Sequence, residues 1–306
     1  MGRLTAIILG AAAGGGFPQW NCRCPVCALA WAGDARVKPR TQASLAVSAD
    51  GKHWVLFNAS PDLRAQLQAT RPLQPRAEAS DGGPRHSPIA AVVLTGAEID
   101  QTTGLLTLRE RQPFTLHGTA ETLAAVAANP MFSALADDVV TRRRVAIGEA
   151  FALPGGLAAE FFAVPGKVPL YLEGGSPELA REGEANVGVA VAAGGRRLVF
   201  VPGAAKLTPA LAERFAAADV MLFDGTLFTD DEMLATGTGT KTGRRMGHMP
   251  IDGEEGSLAA LTGLAARRIY IHINNTNPIL VEGSPERRKV LAAGWEIAED
   301  GLRIEV

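Results

Sequence analysis

The sequence is short of cysteine: three occur in 306 residues, and they crowd into six positions as Cys22, Cys24 and Cys27. An odd, clustered set excludes a disulfide framework and points to metal ligation in a reducing compartment, so a cytoplasmic location is expected. A charge surplus is also missing. The 30 Lys and Arg against 32 Asp and Glu leave a formal charge of -2, with no basic excess to offset a phosphate backbone, and no nucleic-acid partner is expected. Long hydrophobic runs are absent near the N-terminus, where the apolar stretch Leu4–Ala13 falls well short of the ~20 residues a membrane span needs. Behind the single Arg3 it has the outline of a weak signal-peptide core. Gly14, Gly15 and Gly16 nevertheless lead straight into Phe17-Pro18-Gln19-Trp20 with no cleavage-like boundary, and the stretch reads as a first strand and a tight turn.

What the chain has in quantity is apolar residues, 47% of the whole, and turn formers, with 34 glycines and 19 prolines. A large core is readily buried at this length. The Gly and Pro load argues against a helix bundle and for many short strands and loops. Period-two alternation and β-branched residues predict strands at Leu4–Leu9, Ser44–Ala49 and His53–Phe57, the last two joined as a hairpin by Asp50-Gly51. Ser60-Pro61-Asp62 reads as N-cap, first helical position and first-turn acid of a helix from Pro61 to about Ala69. Arg71–Pro88, with four prolines and Gly82-Gly83, reads as an exposed loop and not a domain linker. Ala90–Thr95 is a continuous apolar run, hence a strand buried on both faces. Further strands are expected at Ala158–Val164, Val187–Ala192, Arg197–Val201, Val220–Asp224 and Arg268–Ile273. Helices are expected at Thr103–Arg109, Ala120–Ala128, Pro209–Ala217, Ser257–Ala266 and Pro285–Ala293. Hairpins first and mixed elements later favour an α/β fold of two sheets packed face to face with helices outside, a four-layer αββα sandwich in which residues 1–306 form one domain.

Three groups of residues could carry chemistry. The thiols of Asn21-Cys22-Arg23-Cys24-Pro25-Val26-Cys27 can converge on one Zn²⁺, whose tetrahedral shell then needs a fourth ligand from elsewhere, with His, Asp or Asn as candidates. Polar residues at strand ends form the second group: Asp100 beyond Ala90–Thr95, Asp224 closing Val220–Asp224, and His272 near the end of Arg268–Ile273. Residues there line the cleft in layered α/β proteins, and two Asp with one His suit a hard or borderline divalent metal. Third, His248 lies between Gly247 and Met249-Pro250 in a polar, glycine-bearing loop where an imidazole can move and titrate near neutral pH, which suits acid or base work.

Seven stretches then carry a resemblance over nearly the full length and in order: Gly14–Cys27, Phe57–Asp62, Leu94–Glu110, Val164–Tyr171, Phe223–Thr226, Met246–Pro250 and His272–Pro278. The chain resembles the coenzyme PQQ synthesis protein B family of the metallo-β-lactamase superfamily. The resemblance implies a metallo-β-lactamase-like fold, in agreement with the sandwich. It sets the superfamily's His-x-His-x-Asp-His ligand motif on Gly96, Glu98, Asp100 and Gln101, so the two histidines that hold the first metal are missing and the usual last His is Gln101. Asp224 matches the bridging Asp, His272 the last metal His, and His248 the mobile catalytic His. Asn275, three positions after His272, corresponds to the residue that completes the cysteine cluster in related members.

A mononuclear site of Asp100, Asp224 and His272 is thereby implied, with Gln101 a weak neutral oxygen donor. One His and two carboxylates with open positions is a composition expected for non-haem Fe(II) oxygenase chemistry. The resemblance implies a role in pyrroloquinoline quinone (PQQ) biosynthesis, as an iron-dependent hydroxylase of the tyrosine moiety in a cross-linked Glu-Tyr precursor. It also implies structural zinc at the cysteines and leaves a homodimer open. A carrier moving PQQ or its precursor toward the periplasm would keep the cleft without a redox metal. A two-metal hydrolase would need the ligands missing at Gly96 and Glu98.

Overall fold

The computed structural model describes residues 3–76, 84–174 and 180–306. Among these residues the strands form two seven-stranded sheets. The first runs in the spatial order Arg303–Glu305, Thr5–Gly10, Ser44–Ser48, Trp54–Phe57, Ile89–Val93, Phe114–Gly118 and Val140–Arg144. The second runs Trp295–Ile297, Arg267–Ile271, Val220–Asp224, Arg196–Val201, Val187–Ala193, Leu157–Ala163 and Ala150–Leu153. Both are mixed. In the first, the antiparallel Ser44–Ser48/Trp54–Phe57 hairpin gives way to parallel neighbours from Trp54–Phe57 to Val140–Arg144. In the second, the strands from Arg196–Val201 to Trp295–Ile297 are parallel.

Alternation along each strand distributes its side chains between the centre and the outer layers. Ile8, Phe57, Phe200, Leu222 and Ile269 point into the space between the sheets, where Phe57 and Phe200 meet edge to face at 6.4 Å. Their neighbours Ile7 and Leu56 pack outward with Leu63, Leu105 and Val126, and Val199, Met221 and Tyr270 pack outward with Leu211, Phe215 and Val290. Strands covered on both sides therefore read as unbroken apolar runs, and each large side chain so buried stabilises the fold by roughly 1.5–3 kcal/mol. The four-layer sandwich is present, with thin outer layers whose longest helices are Ala120–Ala127, Pro209–Ala216 and Pro285–Ala292. None of the helices among the described residues is long and apolar enough to cross a membrane.

Several boundaries differ from expectation. The helix after Ser60 begins at Leu63, because the Ser60 carbonyl accepts from Leu63 N while the Ser60 hydroxyl turns to Gln66 instead of capping. Thr103–Leu108 is a 3₁₀ segment preceded by a short α-helix, Ile99–Thr102, and helix Ser257–Ala260 stops well short of Ala266. The Arg71–Pro88 stretch opens with a 3₁₀ turn, Arg71–Leu73, and its residues 77–83 lie outside the described residues. Strands Phe114–Gly118, Val140–Arg144, Ala150–Leu153, Trp295–Ile297 and Arg303–Glu305 add to those expected from the sequence.

Strand register sets up the site. Asp224 pairs with Ile271, so His272, one residue on, emerges beside it. An isolated bridge joins Ala12 to Ile273, which brings the chain leading to the cysteines against the loop after His272.

Candidate metal centres

Asp224 is fully buried, and each of its oxygens has two donors nearby. Oδ2 accepts from Ala204 N at 2.9 Å and faces His248 Nδ1 at 2.7 Å. Oδ1 accepts from Thr226 N at 3.0 Å and from the Thr226 hydroxyl at 2.6 Å. The same Thr226 Oγ1 lies 2.8 Å from His272 Nδ1, and His272 Nε2 lies 3.0 Å from Asp100 Oδ2. With the hydroxyl proton given to Asp224, both His272 nitrogens must carry protons to satisfy both neighbours. Burial opposes that imidazolium, but the Asp100 hydrogen bond and the charges of Asp100, Asp224 and Glu98 outweigh it and raise the His272 pKa above its ordinary value. Burial likewise opposes ionisation of Asp100 and Asp224, yet His272 and His248 hold both carboxyls below the usual range.

The backbone is shaped for this arrangement. His272 sits at φ 59°, a left-handed conformation that a non-glycine residue adopts at a cost, and its ring stacks on His248 at 5.2 Å. On the other sheet, Asn58, at φ 61°, exchanges hydrogen bonds with Thr95, fixing the end of the strand that leads to Asp100. Gly104 allows the Asp100 segment to settle against Ala59 and Ser60, since a Cβ at Gly104 would run into the Ser60 carbonyl.

The structure therefore brings Asp100, Asp224, His248 and His272 together. One ligand atom from each of Asp224, His248 and His272 lies within 4.8 Å of the others, and this carboxylate and imidazole set fits a borderline divalent metal. Gln101 flanks the group, but its amide oxygen accepts from Glu98 N at 3.2 Å and closes the first turn of its own helix instead of turning to the histidines. Gly96 and Glu98 supply no imidazole. His248 uses Nδ1 toward Asp224 and Thr226, and its Nε2 makes no hydrogen bond to any described residue. Asp100, His248 and His272 line a cavity of about 480 Å³ together with Lys167, Lys241 and the Gly14-Gly15 turn.

The second cluster is of another kind. Cys22, Cys24 and Cys27 are unbridged, their sulfurs lie within 4.8 Å of one another, and none lines the cavity. Asn275 closes over them, its Nδ2 3.2 Å from Cys22 Sγ and 3.3 Å from Cys27 Sγ, with its carbonyl oxygen 3.6 Å from Cys24 Sγ. Cys24 also begins helix Pro25–Trp31, and Cys27 N reaches back to Cys24 Sγ. Burial pushes the Cys24 thiol up to about 12, helped by its cysteine neighbours and opposed by the backbone of Cys27. Three sulfurs converging beside an amide suit a tetrahedral ion, which would take the thiols as thiolates.

Thr226 and Asn58 are the site residues that sequence reasoning missed. Both stand inside stretches that carry the resemblance, yet a Thr two residues after an Asp and an Asn after a strand are common turn residues. Only the fold shows what each touches.

The four-layer sandwich, with Asp100 from one sheet meeting Asp224 and His272 from the other beside a cavity, defines a metallo-β-lactamase type of protein, and the family model for the "Beta-lactamase superfamily domain" matches residues 53–273. Within that class the chain belongs to the coenzyme PQQ synthesis protein B family. It is 59% identical to coenzyme PQQ synthesis protein B of Methylobacterium sp. (strain 4-46), over 98% of this chain and 99% of that one. It is 57% identical to the Methylobacterium nodulans protein of the same name, over 99% and 100%. The crystal structure of Zn²⁺-bound PqqB from Methylobacterium extorquens superposes with a TM-score of 0.95 at 53% identity, covering 99% of this chain and 100% of that chain.

Proposed function

We propose that this chain acts in PQQ biosynthesis as a non-haem iron-dependent hydroxylase of the tyrosine moiety in a peptide-derived, cross-linked Glu-Tyr precursor. The observation that carries the reading is the open cluster of Asp100, Asp224 and His272 on a cavity sized for a dipeptide-like molecule. Asp100, Asp224 and His272 would hold the iron, which supplies dioxygen activation when bound. Adding one oxygen atom to a ring C–H consumes dioxygen, and the second atom leaves as water with two electrons from a reductant. His248 serves as acid or base: Asp224 and Thr226 fix one face of its ring through Nδ1, and Nε2 stays free for a proton of the substrate. Thr226 positions both imidazoles through one hydroxyl.

At the other cluster, Cys22, Cys24 and Cys27 would hold zinc with an oxygen of Asn275 as the fourth donor, in keeping with the zinc-bound relative, and the reading makes that ion structural because none of the cysteines lines the cavity of the open cluster. The protein works in the cytoplasm on a small-molecule precursor. Anaerobic Fe(II) titration, followed by oxygen addition with the precursor and mass analysis of the product, tests the reading. A product heavier by one oxygen atom is expected. Binding of precursor with no oxygen consumed would favour the carrier role instead.

A further inference from the structure

The cavity has a basic side that the metal cluster does not use. Lys167 and Lys241 both line it. Lys167 is committed, with its ammonium 2.9 Å from Glu173 and 3.2 Å from Glu98. Arg245 reaches the same Glu173 at 3.5 Å through Nη2, while its buried Nη1 has no hydrogen-bond partner. Lys241 differs from both. Only partly exposed, it makes no hydrogen bond or ion pair with any described residue. Glu98 and Glu173 are thus taken up by Lys167 and Arg245, and Lys241 is the cavity-lining cation that no carboxylate of a described residue contacts.

Lys241 is also held in place. The next residue, Thr242, caps helix Gly243–Met246 by accepting from Arg245 N, and that helix delivers Gly247 and His248. Lys241 and His248 therefore stand at the two ends of one short, capped segment. The same cavity has apolar walls from Ile99, Leu170, Met233 and Met246, two of which are well exposed, Ile99 at 60% and Leu170 at 57%. An unpaired ammonium beside apolar walls, in a space of about 480 Å³, matches a small aromatic body that carries carboxylates.

We infer that Lys241 is a specificity-determining residue, an anchor for a carboxylate of the aromatic molecule that occupies the cavity. The inference rests on the functional reading above for its choice of ligand, since a cross-linked Glu-Tyr compound and PQQ each carry three carboxylates. A ligand carboxylate would give Lys241 a direct partner, beyond the longer-range field of Glu173, whereas Lys167 would have to give up an existing pair to do the same work. Discrimination between charged and neutral forms of one aromatic skeleton follows.

The test measures equilibrium binding of PQQ, a tricarboxylate, and of its neutral trimethyl ester to the metal-loaded natural chain, Lys241→Met and Lys241→Arg. The natural chain is expected to prefer the tricarboxylate. Lys241→Met should weaken tricarboxylate binding about tenfold, leave the ester unchanged and retain its metal, and Lys241→Arg should restore most of the preference. Equal affinity of the natural chain and Lys241→Met for the tricarboxylate would overturn the inference, and so would a natural chain that treats acid and ester alike. Hydroxylation of the precursor is measured on the same preparations. Turnover with an unchanged KM in Lys241→Met sinks the anchor alone. No turnover with the binding pattern intact sinks the hydroxylase reading alone.

Discussion

The two clusters share a loop and differ in access. His272 belongs to the open one and Asn275, three residues later, to the closed one, so a single strand end serves both. Around Cys22, Cys24 and Cys27 the side chains cluster with Phe17, Val26 and Ile273 in an apolar core, and none of the three lines the cavity. Around Asp224 the donors are oxygen and nitrogen, hydrogen-bonded to one another except at His248 Nε2, and one side opens on a space the size of a small substrate. Sulfur ligands in a loop away from the cavity suit an ion that contributes folding energy. Mixed ligands with a vacant side suit one that meets a substrate. Access, more than ligand count, separates the roles.

The largest effect that could break this contrast is at the closed cluster. Cys24→Ala should release zinc and cost several kcal/mol of stability, lowering Tm by roughly 10 °C, as read by metal analysis and calorimetry. Unchanged zinc content would remove the structural role. His248→Ala should instead leave the thermal transition and bound metal nearly as they are while lowering turnover about 10²- to 10³-fold, ~3–4 kcal/mol. Loss of iron from that variant would make His248 a ligand.

Glu232 sharpens the comparison because it supports the shared loop. Its Oε1 accepts from the Thr276 hydroxyl and its Oε2 from Phe228 N, and burial raises its pKa from 4.5 to about 7 despite both bonds. The folded chain therefore holds a proton that the unfolded chain has released, and stability falls as pH rises from about 4.5 through about 7. Glu232→Gln should remove that fall, worth roughly 3 kcal/mol, in denaturant titrations across the range. An unaltered pH slope would place the titration elsewhere. The smallest effect concerns Gln101. An imidazole there adds a nitrogen donor at the open cluster, and Gln101→His should tighten Fe(II) binding about tenfold, ~1.4 kcal/mol, less the lost bond to Glu98 N. No change in affinity or hydroxylation rate would show that residue 101 does not face the metal.

Much of this was legible in the sequence where local pattern and chemistry coincide. Three cysteines within six positions announce a cluster by themselves, and the apolar run Val220–Phe223 ending in Asp224 marks both a covered strand and the residue at its mouth. Strand Val140–Arg144 was hidden because it is an edge strand whose last four side chains are exposed, so its Thr and Arg residues mask the alternation. Trp295–Ile297 and Arg303–Glu305 are too short for any period to show. The bridging hydroxyl of Thr226 and the turned-away amide of Gln101 were not legible, because each depends on a partner fixed by the fold: the rings of His248 and His272 for the first, the start of its own helix for the second.

The central claim is that the open cluster, and not the cysteine cluster, holds the reactive metal. Site-resolved metal analysis of the natural chain and Asp224→Ala, with Fe(II) loaded anaerobically and the precursor then exposed to isotopically labelled dioxygen, tests it most directly. The account predicts that Asp224→Ala keeps its zinc, loses its iron and incorporates no label, while the natural chain transfers one labelled oxygen atom to the precursor. Labelled product from Asp224→Ala, or iron retained in that variant, would contradict it.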